Sequence, residues 1–498
     1  MAAPEGAWDV VVVGAGTSGC AMAARLADAG RRVLLLEAGP VPVATADWPP
    51  EMRDPTSLAA TAPGHPANWD LAAEVRPGQA VRVPRGRIAG GSSALNAAVW
   101  VRATRADLDG WAAAGNPLWA HDRVLPAFRR SEADADYGDG PAHGADGPVP
   151  VRRLPSPSPL ADAFAAASTE LGFPAEPDKN GDAAPGYGPI PFNVDGGVRI
   201  NTAMAYLAPR RQLPALTVSG GTVVRRVLVE RGRAVGVLTD DGPVRAGEVV
   251  LSAGAVGSAH LLLLSGLGPA VELAAAGLDV VADLPGVGTA FSDHPLVYLP
   301  YRPTPGLSAS AFPLHGVLHA PVDGGGEVEV LPWLRPFDAD AEPMVGVGLQ
   351  RPVSRGRLGL DPRRSSGPPR LAYRYLTEEA DRRGLRTGVR LTSALLGTAA
   401  FAGTATPSTA LPAAVLEDDA ALDGWIAARI GTAVHLSGTA PMGADTDPGA
   451  VVDQHLRVRG VAGLRVVDTS VLPWVPSRGT AATAVMVGER AAELMTAG

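Results

Sequence analysis

The apolar positions near the start of the chain form an unbroken β-branched run, Asp9-Val-Val-Val-Val-Gly14. That is the pattern of a strand buried on both faces and stopped by glycine. Helical spacing follows from about Ser18 to Ala29, ending at Gly30, and then a second buried strand, Val33-Leu-Leu-Leu-Glu37. Further on, alternation predicts a strand between Thr217 and Val229, and strand-like content recurs at Val328–Trp333 and Met344–Leu349. Charged Glu378, Glu379, Asp381 and Arg382 open a helix predicted over 377–396. The Gly/Pro-rich stretch from Asp136 to Pro159 predicts a loop and a candidate lid. No internal repeat interrupts the pattern.

Between the first two strands lies Gly14-Ala-Gly16-Thr-Ser-Gly19. A G-x-G-x-x-G run placed between a strand and a helix is a dinucleotide-binding fingerprint. Gly14 makes the tight turn, Gly16 lets backbone approach a pyrophosphate, and Gly19 lets helix and strand pack closely. Thr17 and Ser18 open the helix, whose unpaired N–H groups and positive dipole end favour an anion. Glu37, 18 residues past Gly19 at the strand end, is placed to accept from a ribose diol, with Ala38 beside it. NAD and FAD both use this fingerprint, so the motif alone leaves them open.

Composition narrows the classes. The 498 residues contain 46 % hydrophobic positions, 60 Gly and 47 Pro, enough for a large core with many tight turns. Length alone suggests about three domain-sized units. A net charge of -8 excludes a general phosphate-backbone binder, so no nucleic-acid partner is expected. The single cysteine, Cys20, excludes an internal disulfide framework and a cysteine metal cluster. Met1 to Asp9 lack a basic targeting segment and no stretch has 18 apolar residues, so a cytoplasmic protein without a membrane span is expected.

The segment from Pro84 to Arg102, with Arg87, Gly90-Gly-Ser92 and Asn96-Ala-Ala-Val99, resembles the first signature of the glucose–methanol–choline (GMC) oxidoreductase family. Ser252–Gly268, Leu284–Pro295, Ser354–Arg357 and the run from His435 to Glu493 resemble further family segments, in the family's order. The resemblance implies an α/β fold: a Rossmann-like FAD domain from 1–155, 199–295 and 430–498, and a substrate domain on an antiparallel sheet from 156–198 and 296–429. It implies that FAD contacts Arg87, Gly90, Gly91, Ser92, Asn96, Ala97, Ala98 and Val99, then Val224, Ala253, Gly254 and Asp468, and finally Ala481 and Ala482. Some family members bond the flavin covalently through a histidine before this asparagine. Leu95 stands there and cannot form that bond, so FAD is expected to be non-covalent. Asp293 and His294 are read as structural.

Removing a hydride from an alcohol carbon is easier if a base takes the hydroxyl proton, and histidine suits that task. The redox ring carries the electrons, while protein supplies position and electrostatics. His435 lies where the family's catalytic histidine segment falls; the bland alternative is a buried histidine satisfied by backbone. The other histidines are scattered singly, without metal-ligand spacing, so no metal is expected. The family's second catalytic polar group falls on Ala481, whose methyl cannot hydrogen-bond. Arg478 or Thr480 could supply the missing contact, the substrate could need only His435, or the chain could have a lyase-like or lost oxidative activity. The variant at Ser477-Arg-Gly479 resembles a bacterial branch associated with the redox cofactor mycofactocin, which implies a reduced carrier, such as mycofactocinol, as an alternative small-molecule substrate. The electron acceptor, oxygen or a redox carrier, is left open. Trp333, Phe337 and Trp474 are candidate pocket walls or ordinary core.

Overall fold

The valine run Val10 to Val13 is inaccessible or nearly so, and it forms the centre of a seven-stranded sheet. In the computed structural model, residues 8–496 are described, except 156–157, 306, 308–309, 311, 323–325, 337–341 and 408–410. Phe337 therefore lies outside the described residues. Strand Trp8–Val13 pairs in parallel with Val33–Leu36 on one side and with Gly242–Leu251 on the other; Leu216–Ser219 extends the parallel edge. The helix Thr17–Asp28 crosses between the first two strands, one residue earlier at each end than the sequence pattern gave. Gly19 is required at that crossing, because a Cβ there would lie 2.1 Å from the Gly14 carbonyl oxygen.

The ten-residue strand Gly242–Leu251 serves two pairings. Its first half pairs antiparallel with Arg233–Thr239, and its second half pairs in parallel with Trp8–Val13 and Leu464–Val466. The alternation expected as one strand over 217–229 is two strands, Leu216–Ser219 and Val224–Glu230. Gly220 and Gly221 break it, Gly221 at φ +69°.

A second sheet runs in the order Ala405–Pro407, Pro295–Pro303, Met344–Leu349, Glu327–Pro332, Gly316–Pro321 and Tyr187–Pro189, every pair antiparallel. The helix Glu379–Leu396 packs behind it, where Gly384 and Gly388 let it approach Leu349, Val347 and Val328. Among the described residues, no helix is long and apolar enough to cross a membrane.

The stretch from Asp136 to Pro159 is not a lid. It includes the strand Val149–Arg153, and none of its described residues lines the cavity described below. Charge holds it elsewhere. Buried His143 lies 3.0 Å from Glu132 Oε1 and 2.8 Å from Asp178 Oδ2, and Arg153 Nη1 lies 2.6 Å from Asp134 Oδ1. Arg102 also pairs with Glu132. Although burial opposes the charged ring, these carboxylates push His143 up to about 10. Sequence spacing could not show this cluster, because folding assembles it from separate segments. Its carboxylates are engaged by Arg102, Arg153 and imidazolium.

Candidate active site

A cavity of about 1290 Å³ lies between the two sheets. Pockets for single drug-sized ligands span roughly 300–1,000 Å³, so this one has room for a large cofactor and a further molecule. Gly14, Gly16, Thr17, Ser18, Glu37, Ala38, Gly91, Ser92, Asn96, Ala97, Val99, Val224, Ala253, Gly254, Asp468, Ala481 and His435 all line it. Leu95 lines it too.

Five expected contact residues do not line this wall. Gly19 is a packing position. Gly90, at φ +83°, packs on the Asn201 side chain, where a Cβ would lie 2.8 Å from Oδ1. The Ala98 methyl lies instead in a small cluster with Phe192 and Trp333. Ala482 is buried in the main core. The Arg87 guanidinium stacks over Trp69, 5.0 Å from its ring centre, and Arg85 lines the cavity in its place.

The walls fit a dinucleotide carrying a pyrophosphate. Helices beginning at Thr17, Gly254 and Ala481 all turn their first residues to this space, and none has an acidic residue in its first turn. The first N–H groups at Thr17 and Ala481 favour an anion, while at Gly254 the N–H already meets the Asp468 carboxylate. The Gly90–Gly91 loop closes onto the fingerprint turn through Gly90 N–H donating to Ala15 O at 2.7 Å. A Cβ on Gly91 would lie 2.7 Å from Gly16 Cα, whereas one on Gly254 would meet nothing within 4 Å. Glu37 accepts from Ala15 N at 3.0 Å and Gly39 N at 2.9 Å, which fixes its carboxyl at the wall. Asp468 accepts from Gly254 N and Ser470 N, both at 2.9 Å, and from the Ser258 and Ser470 hydroxyls. It therefore caps a turn and lines the cavity at once. Half-buried His260 has an inaccessible Nε2 without a partner among the described residues, at the end near Val224.

At the other end, Asp293 builds the His435 loop. Its Oδ1 accepts from His294 N at 2.7 Å and His435 N at 2.8 Å, and its Oδ2 accepts from Thr432 Oγ1 at 2.9 Å. Thr432 Oγ1 in turn accepts from Val434 N at 2.9 Å. These bonds hold Val434 at φ +59°, a conformation that a β-branched residue avoids and that costs about 1–3 kcal/mol. Burial pushes the Asp293 carboxyl up to about 6.

The imidazoles are coupled. His294 Nε2 lies 2.8 Å from Pro476 O, and a carbonyl only accepts, so that nitrogen carries the proton. Burial pulls His294 down to about 4, so the ring is neutral and its Nδ1 is a bare acceptor. That Nδ1 lies 3.0 Å from His435 Nδ1, which must donate. His435, held neutral by burial first and His294 second, therefore presents Nε2 as an unprotonated lone pair. Next to it stands Gly479, where even a Cβ would keep 3.7 Å from Nε2. His294, read from the sequence as structural, also meets His435; the sequence does not show this contact because it spans 141 positions.

Arg478 does not replace the polar group missing at Ala481. It is buried, pairs with Glu327 and donates to Ser477 O at 2.6 Å, and it does not line the cavity. Thr480 does line it. Trp333 lines the cavity and Trp474 does not; instead, Gly110 packs close to the Trp474 ring.

The fold and this site define a flavin-dependent oxidoreductase. The chain belongs to the GMC oxidoreductase family: residues 8–296 match its N-terminal family model and residues 352–488 its C-terminal one. It is 41 % identical over 502 residues to an uncharacterized GMC-type oxidoreductase of Rhodococcus erythropolis, covering 98 % of each chain. It is 34 % identical over 536 residues to an oxygen-dependent choline dehydrogenase of Vibrio vulnificus, covering 98 % of this chain and 94 % of that one. The crystal structure of pyridoxine 4-oxidase from Mesorbium loti superposes with a TM-score of 0.88 at 30 % identity, over 98 % of both chains. FAD is the cofactor this family uses.

Proposed function

We propose that the chain oxidises an alcohol-type CH–OH substrate, with His435 as the base that takes the hydroxyl proton. The observation that carries this reading is the His294–His435 contact, which leaves the Nε2 lone pair of His435 free at the cavity wall. Non-covalent FAD, when bound along the fingerprint turn and the Gly91–Val99 wall, supplies the two-electron sink that takes the hydride from the carbinol carbon.

The chain's own residues do the rest. Glu37 and Val224 hold the adenosine end, the helix beginning at Thr17 with Ala253–Gly254 the pyrophosphate in the middle, and Asn96 to Val99 the ring end. Asn96 Oδ1 accepts from Ala98 N at 2.9 Å, which holds Ala98 at φ +57° and leaves the carboxamide N–H groups for a ligand. A proton arriving at His435 Nε2 creates an imidazolium whose Nδ1–H already has an acceptor in His294. Segments 1–155, 199–295 and 430–498 form the cofactor domain of this reading, and 156–198 with 296–429 form the substrate domain.

The test is anaerobic mixing of the holoenzyme with a panel of alcohols, sugars and aldehydes, followed by flavin absorbance. Bleaching by a CH–OH compound, slowed severely in His435→Ala, is expected. If chemical reductants bleach the flavin and no panel member does, the reading fails.

A further inference from the structure

The antiparallel sheet shows a graded face to the cavity. Its lining positions alternate along the strands: Leu296 and Tyr298, then Gly346, Gly348 and Gln350, then Glu329 and Leu331. Register puts Leu296, Gly348 and Glu329 in one row, and Tyr298, Gly346 and Leu331 in the next. Two positions beyond the first row, the same register brings His294 opposite Gln350, whose backbone it contacts. The polar end of this face is therefore the end at which His435 sits. The two mid-strand glycines remove side chains there and let a ligand approach the backbone.

Three acceptors stand at that end, with Arg85 also on the wall near His435. Gln350 is 1 % exposed; its Nε2 donates to Gly348 O at 3.1 Å, and its Oε1 has no partner among the described residues. The Glu329 carboxyl faces the cavity with Oε2 3.2 Å from His319 Nε2. His435 Nε2 is a third acceptor. The two cations that act on Glu329 are committed elsewhere: Arg478 to Glu327 and Ser477 O, and Lys179 to Glu176 and Gly186 O. The wall offers acceptors where the substrate must bring donors. A buried acceptor left unpaired is costly, so the site discriminates against a molecule that cannot fill it.

We propose that the substrate carries, beside the carbinol that meets His435, an N–H donor of an amine or amide that binds Gln350 Oε1 and the Glu329 carboxyl. This rests on the alcohol-oxidation reading above. A second hydroxyl fits less well, because its oxygen also turns lone pairs toward a carboxylate and a carbonyl, whereas an ammonium or amide nitrogen has none to offer. The aromatic and aliphatic rows beyond, with Tyr298, Leu331 and Trp333, hold an apolar body attached to that donor.

Matched pairs test this on the wild-type holoenzyme. Mandelamide is set against N,N-dimethylmandelamide, and 2-amino-1-phenylethanol against its trimethylammonium derivative, with anaerobic flavin reduction as the readout. The N–H member of at least one pair should reduce the flavin about tenfold or more efficiently, and the pair that discriminates shows whether the donor is neutral or cationic. In Gln350→Met the preference should fall to threefold or less while FAD content is retained. Equal efficiency within both pairs overturns the proposal. Phenylacetamide and N,N-dimethylphenylacetamide, which have no carbinol, provide a readout without turnover through their perturbation of the oxidised flavin spectrum. If no alcohol reduces the flavin, the base reading fails, while tenfold tighter binding of phenylacetamide still supports N–H recognition and equal binding ends it.

Discussion

His294 Nδ1 and His435 Nδ1 stand 3.0 Å apart, and only one of them can hold the shared proton. The Pro476 carbonyl decides which, by keeping the proton of His294 on its other nitrogen. Replacing His294 with leucine removes the acceptor that fixes the tautomer of His435. Flavin reduction should slow by about 10- to 100-fold, a share of the roughly 10²–10⁴-fold worth of a positioned base. The acid limb of its pH profile should also move up, because the neighbour that helps hold His435 neutral is gone. An unchanged profile would show that His294 does not set the state of His435.

Gly479→Ala separates access from folding. A methyl there meets only His435, at 3.7 Å from Nε2, so thermal stability and FAD content should stay at wild-type values. The methyl stands where a substrate oxygen must approach, and reduction by alcohols should fall at least tenfold. Stopped-flow reduction alongside a melting curve checks both halves.

Two glycine substitutions should differ sharply. Gly19→Ala would drive a methyl to 2.1 Å from the Gly14 carbonyl oxygen, which is unyielding backbone; loss of soluble, FAD-loaded protein is expected. Gly30→Ala, at φ +81° in the exposed turn after the first helix with open space around it, should cost only the backbone penalty of about 1 kcal/mol. Melting temperature and the flavin-to-protein absorbance ratio measure the contrast.

Acid should loosen the fold in a defined window. Burial holds His294 and His260 at about 4, against roughly 6.5 for a free histidine. Between those values the unfolded chain binds protons that the folded chain refuses. Their contribution to stability is therefore full above 6.5 and lost as pH falls through 4. The melting temperature should drop across that interval, and less steeply in His260→Leu. Equal slopes would remove His260 from the account.

With Leu95 at the attachment position, acid or heat should release all the flavin into the supernatant as free FAD. Yellow colour remaining with the precipitated chain would reveal a bond elsewhere.

The nucleotide end was legible because local sequence dictates it: a valine run, a glycine turn and a helix make one continuous unit whose backbone does the binding. Val10 to Val13 and Gly14 to Gly19 fall where the pattern placed them. The substrate end was less legible, because its chemistry depends on strand register. Nothing near Gln350 in the chain marks its orphaned carbonyl, and nothing near His294 marks its partner 141 positions on. The stretch after Asp136 read as a loop and candidate lid because it is rich in glycine and proline, yet long-range ion pairs hold it away from the cavity.

The carboxylate that braces the backbone of His435 comes from Asp293, 142 positions earlier in the chain. The proposed proton acceptance at His435 would therefore depend on two distant stretches meeting correctly, not on the imidazole or its immediate segment alone. A chain could complete its nucleotide turn, and hold a cofactor there, while still lacking a usable base. On the proposed role of His435, oxidation requires the segment that carries it to be seated against Asp293, so a fold correct at the nucleotide end alone would bind without turning over.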